Sequence, residues 1–190
     1  MSNPEVRAAM VKDLLASLRA GKVPRGAEIL GLAEPDLVRR VDEATRLEWL
    51  PSPPITRLAD KARALLGGPR WRAVHREAAD ELAERALFRA VTRGMRVVFG
   101  ATLATQCRII PLVLNQAHRN YGTIDLTTSG PRAATVRIRG CPPEGLSHGL
   151  LDVFAGTVEG LLAAASIRAV VDVDYVVGSS EAALAVREEA

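Results

Sequence analysis

The sequence predicts an α+β protein, with a mainly antiparallel small sheet packed on one side by several helices and an N-terminal helical segment in front. Three observations predict it. Two short segments, Thr123–Thr128 and Ala134–Arg139, alternate apolar and polar residues with a period of two. An apolar, glycine-striped helix follows them and leads into a valine-rich strand. Upstream, apolar residues recur at helical spacing. Helices segregated onto one face of an antiparallel sheet is the packing that suits this order.

Pro4 opens a helical pattern to about Arg19, with Val6, Met10, Leu14 and Leu18 as one apolar stripe. Gly21, Pro24 and Gly26 end it. A shorter helix follows Glu34, carrying Leu37 and Val41. The run Trp49-Leu50-Pro51-Ser52-Pro53-Pro54 is a rigid connection and the best boundary, dividing an arm (residues 1–50) from the main domain (residues 51–178). The arm either stands apart or packs on the core. Ile55 to Leu66 reads as a helix stopped by Gly67-Gly68-Pro69, and Trp71 to Thr92 as a long one. Val97 to His118 is apolar and helical but holds Pro111, so it is either kinked there or two helices meeting near Cys107. Ser129-Gly130-Pro131 joins the two alternating segments into a hairpin, with Asp125 near Arg137 or Arg139. In Leu146 to Ser166, Leu151, Phe154, Val158, Leu161 and Leu162 share a broad face, and Gly149, Gly156 and Gly160 form a second stripe where another element or a ligand can approach the backbone. Ile167 to Val177 is a strand. Residues 179–190 read as a polar, frayed tail.

Composition narrows the function. The formal net charge is +3 and dispersed, so nucleic acid is not an expected partner. Arginine outnumbers lysine 22 to 3, a usage read as the codon bias of a GC-rich bacterial genome. The N-terminus lacks the continuous apolar stretch of a signal peptide. Gly149 to Ile167 carries Asp152 and Glu159 and makes a poor membrane span. The two cysteines, Cys107 and Cys141, suit a reducing, cytoplasmic setting.

Arg119-Asn120-Tyr121-Gly122, Gly140-Cys141-Pro142 and the Gly149/Gly156/Gly160 helix before a valine-rich strand carry a family resemblance over Trp49 to Val177. This order resembles the 4-vinyl reductase type domain and, more closely, a myxobacterial family of uncharacterised proteins. The fold group also includes the Bet3-like subunits of vesicle-tethering complexes and the haem nitric-oxide-binding domains. The resemblance implies an α+β sandwich, often dimeric, with an apolar cavity between helices and sheet that senses small aromatic molecules, holds an acyl chain or serves assembly. The chain departs from metal-binding members, since Cys141 stands alone near the C-terminal strands. It also lacks the Tyr-x-Ser-x-Arg pattern of haem-binding members. No cofactor and no metal are therefore expected.

The candidate chemistry is sparse. Cys141 and His148 are two potential metal ligands where a structural site needs about four, and His75 and His118 lie far off in sequence. Cys141, shortly before a helix, is the candidate reactive thiol, whereas Cys107 suits a small core residue. Asp152 and Glu159 sit two helical turns apart, as an acid/base pair or a polar helix edge. A ligand pocket, if formed between helix and sheet, would be lined by Phe99, Leu103, Cys107, Ile110, Leu114, Phe154 and Val158. The favoured reading is a non-catalytic regulatory or scaffolding module, a homodimer working through a protein partner. A sensor for a small apolar or acyl ligand is the alternative, and a thiol-dependent enzyme using Cys141 with His148 is the third.

Overall fold

Three short strands tie the N-terminus to the middle of the chain. They are β1 (Glu5–Arg7), β2 (Trp49–Pro51) and β3 (His118–Arg119), in the order β2-β1-β3. The architecture is that of a computed structural model describing residues 3–83, 94, 100 and 102–189. Val6 pairs with Leu50 on one side and His118 on the other. The Pro4 region is thus extended, and helix α1 starts later, at Ala8, and ends at Arg19. Its buried residues are Ala8, Val11, Leu15 and Leu18. Met10 and Leu14, assigned to the core stripe from sequence, are left incompletely covered.

Helices α2 (Gly26–Gly31), α3 (Pro35–Glu43) and α4 (Pro53–Leu66) follow, and α5 (Gly68–Ala83) starts directly behind α4. Gly67, at a φ of 83°, turns the chain between them. The sequence reading missed α2 and began α5 three residues late. Residues 1–50 do not stand apart: Val11, Leu15, Ile29 and Val41 share a core with Ile55, Leu58, Ala62 and Trp71. The remainder of the long helix expected to Thr92, and Phe99, lie outside the described residues.

The apolar stretch around Pro111 is two helices, α6 (Leu103–Gln106) and α7 (Ile110–Ala117), joined by a 3-10 turn at Cys107–Ile109. Proline sits in the first turn of α7, where its missing N–H costs nothing. The hairpin is β4 (Thr123–Thr128) and β5 (Ala133–Arg139), and Asp125 pairs with Arg139. Gly122 leads into β4 at a φ of 74°, and a Cβ there would stand 2.0 Å from the Arg139 carbonyl oxygen, so only glycine fits. Helix α8 (His148–Ala164) begins at Ser147, whose hydroxyl accepts from the Leu150 N–H at 3.2 Å.

Within the expected tail, Glu181–Glu188 does not fray. Glu181–Glu188 forms β7, which lies between β5 and β6 (Ala169–Tyr175) in a four-stranded antiparallel sheet ordered β4-β5-β7-β6. Ala182, Leu184 and Val186 point inward, and the last two are fully buried. A polar C-terminal signature disguised a strand whose alternation was present all along.

The described residues form two apolar cores. One lies between the four-stranded sheet and α6, α7 and α8. The other lies among α1 to α4 and the start of α5. The cores meet where α5 packs on α8. Ideal Cβ atoms on Gly156 and Gly160 would fall 2.3 Å from the carbonyl oxygens of Arg72 and Arg76, and one on Gly149 2.4 Å from the Ala59 carbonyl carbon. The glycine stripe therefore admits two helix backbones, α4 and α5. Of the two roles that its missing Cβ atoms allowed, it serves helix packing.

Candidate functional site

A cavity of about 280 Å³ opens at the seam between the two cores. Its walls come from α1 (Met10, Val11, Leu14, Ser17), from α4 (Ile55, Ala59), from α5 (Trp71, Val74, His75, Ala78) and from the facing side of α8 (Leu150, Val153, Thr157), with His118 of β3 also contributing. It thus touches both halves of the protein. Most of these side chains are apolar, as ligand cavities generally are. Exposed Asp13, Lys22 and Glu77 mark the rim.

The pocket residues expected from sequence lie elsewhere. Leu103, Cys107, Ile110, Leu114, Phe154 and Val158 are all buried in the sheet-side core, on the other side of α8. None of them lines the cavity. The cavity and the expected residues thus lie on opposite faces of α8. A sequence signal for this cavity wall was present in α1, whose apolar arc is wider than the core-facing stripe alone needs. Met10 and Leu14 are the surplus.

Two imidazoles border the cavity. His118 is buried. It lies between Tyr121 and Phe154 at ring distances of 4.9 and 4.8 Å, and its Nδ1 is 3.1 Å from the Leu114 carbonyl oxygen, a bond in which the ring nitrogen donates. Burial pushes its pKa down to about 4, although the Leu114 bond works the other way. His75 is T-stacked on Trp71 at 4.3 Å, and burial likewise lowers it to about 4, against the pull of Asp152. A depressed histidine favours the neutral fold. Its contribution is complete above pH 6.5 and is lost as pH falls towards 4. His118 and His75 are both expected to contribute to a loss of stability across that window. His118→Phe is expected to flatten the pH dependence of the urea midpoint between pH 6.5 and 4. An unchanged slope would remove His118 as its source.

The polar edge of α8 is tied down. Asp152 accepts from Arg63 Nε at 2.7 Å and from Arg72 Nη2 at 2.7 Å. Arg72 Nη1 also donates to the Val171 carbonyl oxygen at 2.6 Å and stands 3.6 Å from Glu159. Glu159 accepts from the Val171 N–H at 3.2 Å, and burial raises its pKa. The two carboxylates thus join α8 to α4, α5 and β6.

The thiols are equally occupied by structure. Cys107 and Cys141 are fully buried, and desolvation pushes both pKa values up to about 12, with Glu144 adding to the effect at Cys141. A buried protonated thiol is a poor nucleophile and a poor metal ligand. His148 stacks on Tyr175 at 5.2 Å. Among the described residues, no group of three or more His, Cys, Asp or Glu side chains is arranged to hold a metal ion, and no helix is long and apolar enough to cross a membrane. Near Cys141, the Ser52 hydroxyl, 1 % exposed, bonds the Tyr121 hydroxyl and lies 3.3 Å from that of Thr56. This buried hydroxyl cluster pins the start of α4 to the strand-bearing half, and nothing in the local sequence pattern announced it.

No known family profile matches the chain, and no curated protein sequence matches it. Solved structures do. A trafficking protein particle complex subunit 3 from Naegleria fowleri, covalently bound to palmitic acid, is similar at a TM-score of 0.54 and 8 % identity, over 73 % of this chain and 95 % of that one. A mutant H-NOX from T. tengcongensis is similar at 0.59 and 16 % identity, over 97 % and 98 %. An unliganded Fe(II) H-NOX mutant from K. algicida is similar at 0.58 and 6 % identity, over 97 % of each chain. Other H-NOX structures in this set concern heme distortion and heme redox potential. A heme requires an axial ligand and a slot for a flat macrocycle. The described residues do not fit one. The cavity, at about 280 Å³, falls just under the range of about 300–1,000 Å³ for drug-sized ligands. His118 is locked by Leu114 and two aromatic rings, and Lys22 is the one cation lining the rim among the described residues. The fold of this chain is accordingly that of the group holding the Bet3-like subunits and the H-NOX proteins.

Proposed function

We propose that this protein is a non-catalytic binding module that takes a small apolar molecule into the cavity between its two cores. The observation that carries the reading is the position of that cavity. An occupant would touch α1 and α8 at once, so its presence would change how firmly the two halves hold together. The buried thiols and the paired carboxylates support a role without catalysis. Native mass spectrometry of the purified full chain is expected to show a bound small molecule that leaves on denaturation. Val153→Phe, which fills the cavity from α8, should abolish it. A wild-type protein with no bound mass, and with no thermal stabilisation by millimolar p-xylene, would refute the reading.

A second reading, a scaffold acting through a protein partner or a second copy of itself, is favoured by one surface feature. Val176 and Val177, adjacent in the β6–β7 turn, are 73 % and 76 % exposed. Light scattering at tens of micromolar is expected to give a dimer that Val176→Ser with Val177→Ser dissociates. A wild-type monomer would count against self-association.

A further inference from the structure

Strand β6 forms one edge of the four-stranded sheet. In an antiparallel ladder alternate residues aim both backbone groups at the neighbour, and those between aim them away. The Glu189 N–H bonds the Arg168 carbonyl oxygen at 2.9 Å, and Arg168 shares the phase of Val170, Asp172 and Asp174, whose register partners on β7 are Arg187, Ala185 and Ala183. The N–H and C=O groups of Ala169, Val171, Val173 and Tyr175 therefore point to the open edge. Such a row is a template for pairing with another chain, and the valine-rich composition of β6 suits it.

At Val171 the template is already filled. Arg72 Nη1 donates to the Val171 carbonyl oxygen at 2.6 Å, and Glu159 accepts from the Val171 N–H at 3.2 Å. One donor and one acceptor side by side are what a neighbouring strand would present there. The two side chains stand 3.6 Å apart, and Asp152 holds Arg72 through Nε at 3.2 Å and Nη2 at 2.7 Å. The filled position divides the edge into runs of one and two pairing residues, where a strand of ordinary length would use about three. Charges aimed at an edge are one way proteins keep it unpaired. The same edge is complementary to itself. Antiparallel pairing about Val171 sets Asp174 of one copy opposite Arg168 of the other, and Asp172 opposite Val170. Asp174 and Arg168 are exposed and have no ion-pair partner among the described residues.

We propose that Arg72 and Glu159 serve as a surrogate strand that shuts the β6 edge at Val171, and that without Glu159 this edge pairs with the β6 edge of a second copy. The device is separate from the cavity and from the exposed Val176 and Val177.

Hydrogen exchange and sedimentation velocity on the full chain test it. In Glu159→Leu, which keeps the bulk and loses the acceptor, the Val171 N–H in dilute protein is expected to exchange at least about tenfold faster than in wild type, while that of Asp172 keeps its rate. Glu159→Gln, which retains an acceptor oxygen, should behave as wild type. At tens of micromolar, Glu159→Leu should sediment with twice the mass of the wild-type species. Adding Asp174→Arg, which opposes like charges, should reverse this, and adding Arg168→Asp as well should restore it. Leu58→Ala weakens the other core, leaves the pair intact and controls for lost stability. If Glu159→Leu does not fold, Glu159→Ala takes its place. A Val171 N–H that exchanges no faster without Glu159 overturns the surrogate strand. Glu159→Leu sedimenting as wild type, association indifferent to the charge changes, or equal association by Leu58→Ala overturns the pairing of β6 edges.

Discussion

Arg72→Ala is expected to destabilise the protein by about 3 kcal/mol, a fall in Tm of roughly 6–12 °C for a domain of this size. Arg72 lies on α5, yet its guanidinium reaches Asp152, the Val171 carbonyl oxygen and Glu159, which belong to α8 and β6. Asp152 is 5 % exposed and Glu159 9 %. Removing the cation leaves two buried carboxylates short of a partner, and the cost of an uncompensated buried charge is about 3–5 kcal/mol. The lower end applies because Arg63 still holds Asp152 Oδ2 at 2.7 Å. Arg63→Ala should cost far less, near 1 kcal/mol, because the Arg63 side chain is 41 % exposed and solvent screens its pair. Thermal denaturation of the two variants side by side tests the ranking. An Arg72→Ala protein melting within 2 °C of wild type would show that the network is ornamental to the fold.

Gly156→Ala and Gly160→Ala should each cost about 2–3 kcal/mol, and the double variant should not fold stably at 37 °C. The sign is the notable part. Glycine inside a helix is worse than alanine by roughly 0.5–1 kcal/mol, so either substitution would ordinarily stabilise. Here the added methyl would lie 2.3 Å from a backbone oxygen of α5. Side chains can rotate away from such a clash, whereas a helix carbonyl can yield only if the whole helix moves, and over-packing of this kind costs about 1–3 kcal/mol. Separating α5 from α8 would also strain the Arg72 network and open the cavity wall. Gly31→Ala provides the control, since it sits in α2 with nothing within 4 Å of its added Cβ, and should melt at or above the wild-type temperature. If Gly160→Ala melts no lower than wild type, the close α5–α8 contact is not a feature of the folded protein.

These two predictions also mark where sequence and structure divide. Local patterns carried the element types. Alternation at Ile124, Leu126, Val136 and Ile138 specified the hairpin, because side chains of a strand leave on alternate faces whatever the strand pairs with. The glycine stripe of α8 announced a close approach, and Pro111 announced a kink or a break that the structure resolves as two helices. The three-residue strands β1 and β2 and the two-residue β3 were invisible, since pieces this short have no period to detect and exist through pairing with partners far along the chain. Strand β7 was hidden for a different reason. Its alternation is present, but flanking glutamates read as a solvated end, and only pairing with both β5 and β6 makes its backbone worth ordering.

The candidate site shows the same boundary more sharply. The sequence by itself determined that α8 is apolar nearly all round and is therefore covered on most sides. It did not determine which face meets solid core and which meets a space. Phe154 and Val158 went to the sheet, and Val153 and Thr157 went to the cavity. That assignment depends on where residues 1–50 dock, and docking is set by the fit of whole helices rather than by the period of any one. His75 is the clearest case. In the sequence it is an isolated histidine in a charged helix. Only the packing of Trp71 beside it and of α1 and α8 around the cavity turns it into a neutral, unpartnered imidazole facing the protein interior, because burial and lack of a partner are properties of the surroundings that no single residue encodes.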